Sequence, residues 1–257
     1  MKNSAIGFLL AWQFFSAVPI KKSLNMNAQS MTWMYASLPI VGLVMGGVLS
    51  SAAYFLMSYT SISNVLLAIL LVVGMIMLTG GLHLDGFIDL NDAYFSYGEK
   101  EKRLEILDDP RTGAFGVMSV VSLLLVKLGF VYELLEQGQL AVIPFIVLIP
   151  YTARLGMLVY FISMRTSKQT GLAAYFKQQV VGRKLLVISL IIFAILSALI
   201  ISMNVMSYFI LVAIMLLAVL MYRHWSYKHF GGMSGDLLGA LGEGLEVLLW
   251  IVALLCI

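Results

Sequence analysis

LLAILLVVGMIMLTGGLHLDGFIDLNDAYFS, residues 66–96, changes character halfway along. Up to Leu78 it is an almost unbroken apolar run. After Thr79-Gly80-Gly81 come His83, Asp85, Asp89 and Asp92 within ten positions. The first half reads as a membrane span, since about twenty apolar residues cross a hydrocarbon core. The rest of the chain agrees: 61% of its 257 residues are hydrophobic and 11% are charged, where a soluble domain carries roughly a quarter. We therefore expect an all-α polytopic membrane helix bundle, forming one integral membrane domain over 1–257.

Further apolar runs place seven spans near 33–57, 64–82, 113–133, 140–162, 185–202, 205–222 and 237–256, with six to eight as the range. The segment 1–30 reads as an interfacial or re-entrant helix, and residues 4–20 would give an eighth span if they crossed. The linkers fall into two classes. Those near 58–63, 134–139 and 203–204 hold no Lys or Arg, whereas 19–32, 83–112, 163–184 and 223–236 hold thirteen between them. Basic linkers face the cytoplasm, so the polar stretch 83–112 is expected to be a cytoplasmic catalytic loop. A net charge of +3 gives no reason to invoke nucleic acid, and the lone Cys256 excludes an intrachain disulfide or a Cys-based metal site.

The acids are concentrated. Eight of the thirteen lie between Asp85 and Asp109, and three more are Asp236, Glu243 and Glu246. Asp85, Asp89 and Asp92 stand at i, i+4 and i+7, on one helical face, and Asp236 and Glu243, seven apart, share another. Like charges so stacked repel, and a cation between them relieves it. Carboxylate oxygens without Cys favour Mg²⁺, or Mn²⁺, over zinc. Asp85, Asp89, Asp92, Asp236 and Glu243 are the expected ligands. Because Mg²⁺ usually completes its octahedron with water and substrate phosphate, the substrate should carry a phosphate, most simply a diphosphate. Glu99, Glu101 and Glu105 read as a solvated face. His83 is either an acid–base group or a buried hydrogen-bonding histidine.

Glycines and bases surround both clusters. In GGMSGDLLGALGEGLE (231–246), Gly232, Ser234 and Gly235 precede Asp236 at a helix start, where backbone N–H groups approach a phosphate; the same glycines also serve close helix packing. Gly81 has the corresponding place in the first cluster. Arg111, in DDPRTGAFG (108–116), carries a planar fork suited to phosphate. Arg154, inside a span, either snorkels or turns inward to a phosphate or carboxylate, and Lys127 is a buried partner with no assigned role.

GGLHLDGFIDLNDA, LEILDDPRTGAFG and GGMSGDLLGALGEGLE together, in that order and spacing, closely resemble the cobalamin-5′-phosphate synthase family, the adenosylcobinamide-GDP ribazoletransferases. The resemblance covers nearly the whole chain. It implies a Mg²⁺-dependent enzyme of a bacterial or archaeal inner membrane, multi-pass, with its site facing the cytoplasm. Its partners would be adenosylcobinamide-GDP, α-ribazole or α-ribazole 5′-phosphate, and the bilayer; a homo-oligomer is compatible with it. On that reading the metal-binding acids bridge the diphosphate, Asp89 or Asp92 takes the hydroxyl proton, and Arg111 and Arg154 counter phosphate charge. Two rival classes stand beside it. One is a CDP-alcohol phosphotransferase-like or aromatic prenyltransferase-like enzyme, although Asp85-Gly86 is not followed by the Ala-Arg of the former. The other is a divalent-cation transporter, which the one-sided placement of the acids opposes.

Overall fold

The computed structural model describes residues 2–96, 98–202 and 207–256, with side chains left undescribed at 201–202. Its regular elements are twelve helices: α1 Lys2–Phe15, α2 Ala28–Ala36, α3 Leu38–Tyr59, α4 Asn64–Thr79, α5 Leu82–Phe95, α6 Lys100–Ile106, α7 Ala114–Gln137, α8 Ile143–Ser163, α9 Leu172–Gln179, α10 Gly182–Ser202, α11 Ser207–Phe230 and α12 Gly235–Leu254. Among the described residues there is no strand, only one parallel bridge between Thr166 and Met233.

Among the described residues six helices are long and apolar enough to cross a membrane, namely α3, α7, α8, α10, α11 and α12, and counting the broken pair α4 plus α5 as one span brings the number up to seven. That pair is bent by 91°. The sequence causes the bend. Gly80 and Gly81 take φ values of 66° and 75°, a left-handed conformation that only glycine adopts at no steric cost. Their N–H groups donate back to Met77 and Ile76 and close the end of α4. The expected span 64–82 therefore stops at Thr79, and α5 departs crosswise, outside the crossing segment. The expected loop 83–112 is in fact largely helical, as α5 and α6.

Other boundaries moved for local reasons. The run 33–57 is divided at Ser37 into α2 and α3, with Pro39 in the first turn of α3, where its missing N–H costs nothing. The last turns of α11 pass well beyond 222 and carry Arg223 and Lys228 out of the apolar zone. The linker expected near 203–204 and the start of the 205–222 span lie outside the described residues. At 14 residues α1 is about 21 Å long, short of the hydrocarbon core; it packs its Gly7 side on α2 instead.

At the centre is α8, buried along almost its whole length. Gly42 and Gly46 of α3 let that helix close on it: a Cβ at Gly46 would stand 2.7 Å from the Ile146 carbonyl, the small-residue spacing of helix pairs in lipid. The buried helix α12 fits between α5, α7, α8 and α11. Leu186, Leu190, Ile191 and Ile195 of α10 are among the exposed apolar side chains and face lipid.

Candidate active site

Two glycines bring the acidic segments together. A Cβ on Gly86 of α5 would lie 2.8 Å from the Asp236 Cα, and one on Gly239 of α12 would lie 3.1 Å from the His83 Cα. The α5 and α12 backbones therefore touch, and Asp85 and Asp89 arrive beside Asp236 in the first turn of α12. Partial burial, then Asp85, Asp236 and Asp92, push the Asp89 carboxyl up to about 6. That shift is the electrostatic sign of carboxylates held together without a counter-charge. Among the described residues none of Asp85, Asp89 and Asp236 has an ion-pair partner, and no three His, Cys, Asp or Glu side chains gather closely enough to ligate an ion unaided.

A cavity of about 440 Å³ lies against this crossing. Asp85, Asp108, Lys168, Ser234, Gly235 and Asp236 form a polar end; Phe14, Phe15, Tyr35 and Phe176 form an aromatic one. His83 stands where they meet, with Phe15 stacked on it at 6.5 Å. Its Nε2 is buried and has no hydrogen-bond partner. Burial, and then the Arg154 guanidinium, push the imidazole down to about 3, so at neutral pH it is uncharged. Ser234 caps α12: its hydroxyl accepts from the Leu237 N–H at 3.1 Å and donates to Asp236 at 3.3 Å. Gly235 is exposed, with nothing within 4 Å of a built Cβ, so the α12 N-terminus opens on the cavity.

Several expected site residues are committed elsewhere. Asp92 is buried and accepts from the Gly113 N–H at 2.7 Å and the Gly116 N–H at 2.8 Å, so both oxygens cap α7 rather than ligate a metal or take a proton. Glu243, expected with Asp236, pairs with Lys127 at 2.7 Å. Lys127 also reaches Glu246 at 2.9 Å, and Glu246 takes Arg154 on its other oxygen. Those four residues, each at most 3% exposed, form a neutral quartet inside the bundle, so Arg154 meets a carboxylate and does not line the cavity. Arg111 is outside the cavity too: its side chain is 87% exposed and forks onto Asp109 at 2.9 and 2.6 Å. It holds the Asp109 carboxyl down near 2. Gly232 is pressed against the 165–167 backbone, where a Cβ would be 2.6 Å from the Arg165 carbonyl. Gly81 starts α5 in open space.

Lys168 was missed by sequence reasoning. Its ammonium donates to the Leu104 carbonyl at 2.8 Å and pairs with Asp108, placing a cation at the polar end. Its only signal was its position in a basic linker. The aromatic wall gave none, since Phe14, Tyr35 and Phe176 come from three separate helices.

The chain matches the family described as Cobalamin-5-phosphate synthase over residues 7–254. It is similar to a protein of Geobacillus sp. (strain WCH70) named adenosylcobinamide-GDP ribazoletransferase, at 37% identity over 97% of this chain and 95% of that one. Proteins of the same name from Geobacillus kaustophilus, at 36% identity, and Halalkalibacterium halodurans, at 34%, cover the same shares. No solved structure matches.

Proposed function

Since the chain belongs to the cobalamin-5-phosphate synthase family, we propose that it performs the reaction its relatives are named for, joining α-ribazole or its 5′-phosphate to adenosylcobinamide-GDP with release of GMP. The observation that carries this reading is the meeting of Asp85 and Asp89 with Asp236, from chain segments some 150 residues apart, beside a cavity of small-molecule size.

A ribosyl hydroxyl oxygen forms a bond to the cobinamide-side phosphorus. The phosphoanhydride bond to GMP breaks, and GMP leaves with the bonding pair. Phosphoryl transfer asks the protein mainly for positioning and charge neutralisation. Asp85 and Asp236 would hold Mg²⁺, or Mn²⁺; hard oxygen donors without an ion-pair partner suit such a cation. When bound, the ion supplies neutralisation of the diphosphate charge. Asp89, with its raised proton affinity, accepts the hydroxyl proton. Lys168 and the open N–H groups at the start of α12 receive phosphate oxygens. Neutral His83 orients the acceptor. The basic linkers gather at this end of the bundle, which supports a site turned toward the cytoplasm of a bacterial or archaeal inner membrane.

GMP release by the detergent-purified protein from adenosylcobinamide-GDP, α-ribazole and Mg²⁺ tests the reading. EDTA is expected to stop it, and Asp236→Asn to lower turnover on the order of 10²–10³-fold. Full turnover in both would overturn the metal assignment. Release of CMP or pyrophosphate from the corresponding donors, with none of GMP, would transfer the chain to one of the rival enzyme classes.

A further inference from the structure

The cavity has two chemically different ends, and the reaction accounts for only one. Its aromatic end is a continuous set of ring contacts. Tyr35 meets Phe15 edge-on at 5.7 Å and Phe176 at 6.0 Å, and Phe14 meets Phe176 at 5.2 Å. Behind them Phe161 stacks flat on Tyr35 at 3.6 Å, which fixes the Tyr35 ring. Phe15, Tyr35 and Phe176 are at most 8% exposed. The wall is therefore preformed rather than a mobile rim.

We propose that this aromatic end is the subsite for the base of the acceptor nucleoside, a flat heteroaromatic with a hydrocarbon edge, and that His83 positions the sugar between the rings and the acids. The inference rests on the ribazole-transfer reading and adds to it which substrate fills the cavity, and which way round.

Size excludes the whole donor. Some 440 Å³ lies in the range of a drug-sized ligand, enough for a nucleoside and far too little for a corrin with its nucleotide. Polarity then separates the two bases. Guanine carries hydrogen-bonding groups around its edge, and burying them against ring carbons leaves those groups without partners, which disfavours it there. The benzimidazole-type base of α-ribazole offers ring faces and hydrocarbon edges, which these rings match. Geometry gives the direction. Phe15 stacks on His83, and His83 adjoins Gly239 on α12, one turn from Asp236. A base among the rings thus sends its sugar past the unpartnered Nε2 of His83 toward Asp236 and Asp89, where a ribosyl hydroxyl has to arrive.

Phe176→Leu and Phe14→Leu are expected to raise KM for α-ribazole about tenfold, leaving KM for adenosylcobinamide-GDP and kcat at saturating acceptor unchanged. A selective rise in KM for the donor would mean that the rings hold guanine, and would overturn the proposal. Unchanged KM for both substrates would overturn it too, leaving the rings as packing alone. A second measurement needs no variant: in the wild-type protein free 5,6-dimethylbenzimidazole is expected to inhibit competitively against α-ribazole and non-competitively against the donor, and the reverse pattern sinks the idea. If the protein releases no GMP at all, the transfer reading fails first. Even then, α-ribazole alone is expected to raise the melting temperature of the wild-type protein and not of the Phe176→Leu variant. Equal shifts in the two, or none in the wild type, would dismiss the subsite.

Discussion

Glu243 shows how far a residue pattern in sequence reaches. Its seven-residue spacing from Asp236 does put the two on one helical face. Yet at 1.5 Å per residue they stand about 10 Å apart along the axis, too far to share an ion. The face was legible; the depth was not, because depth decides which neighbours are present. At the depth of Glu243 and Glu246 the neighbours are Lys127 and Arg154. Charge balance offered a clue, since two bases and two acids lie inside spans and a bilayer tolerates such groups only when paired. Removing one member leaves its partner buried and uncompensated. Glu246→Gln strands Arg154 and is expected to cost roughly 3 kcal/mol, seen as a lowered melting temperature in detergent. The double variant Glu246→Gln with Arg154→Gln should recover most of the loss. An unchanged melting temperature in the single variant would show that the quartet does not hold the bundle together.

At the scale of the element, α5 is a crosspiece with two different ends. Asp85, Asp89 and Asp92 do lie along one stripe, as their spacing indicates, but the helices packed against that stripe differ along its length. The N-terminal part abuts α12, where Asp236 gathers with Asp85 and Asp89. The C-terminal part abuts the start of α7, whose amide groups consume both oxygens of Asp92. This also explains Gly113 and Gly116. A Cβ at Gly113 would lie 2.9 Å from the Asp92 Cγ, and at Gly116 2.7 Å from Ile88 Cγ2, so α7 needs both glycines to close on its cap. A carboxylate at a helix start also complements the helix dipole. Asp92→Ala is therefore expected to cost about 1–2 kcal/mol of stability, while the protein that remains folded retains GMP release. Thermal unfolding and specific activity measured on the same preparation decide it. Lost turnover at an unchanged melting temperature would make Asp92 part of the chemistry instead of the anchor.

At the scale of the molecule, the crossings were the most legible feature, because lipid forces each span to satisfy its own backbone and to present an apolar surface. The helix breaks were less so: Gly80-Gly81 signals a turn, but its 91° angle follows from where α5 finds α12, a contact 150 residues away in the chain. The two ends of the bundle also differ as the linkers indicate. One end gathers Asn64, Glu136 and Gln139, joined by hydrogen bonds of 2.8 and 2.6 Å, and the other gathers the basic linkers with the cavity. In the proposed orientation, with the basic end inside, the 60–63 turn between α3 and α4 would face outward and α6 would face the cytoplasm. Ser61 and Glu101 are both exposed, and Cys256 is the sole native thiol. In a Cys256→Ser background, a membrane-impermeant maleimide is expected to label Ser61→Cys in intact cells, and Glu101→Cys only after permeabilisation. The opposite pattern would put the acids on the outer face, away from any substrate made in the cytoplasm, and the transfer reading would lose its membrane side even if every residue of the site stayed where it is.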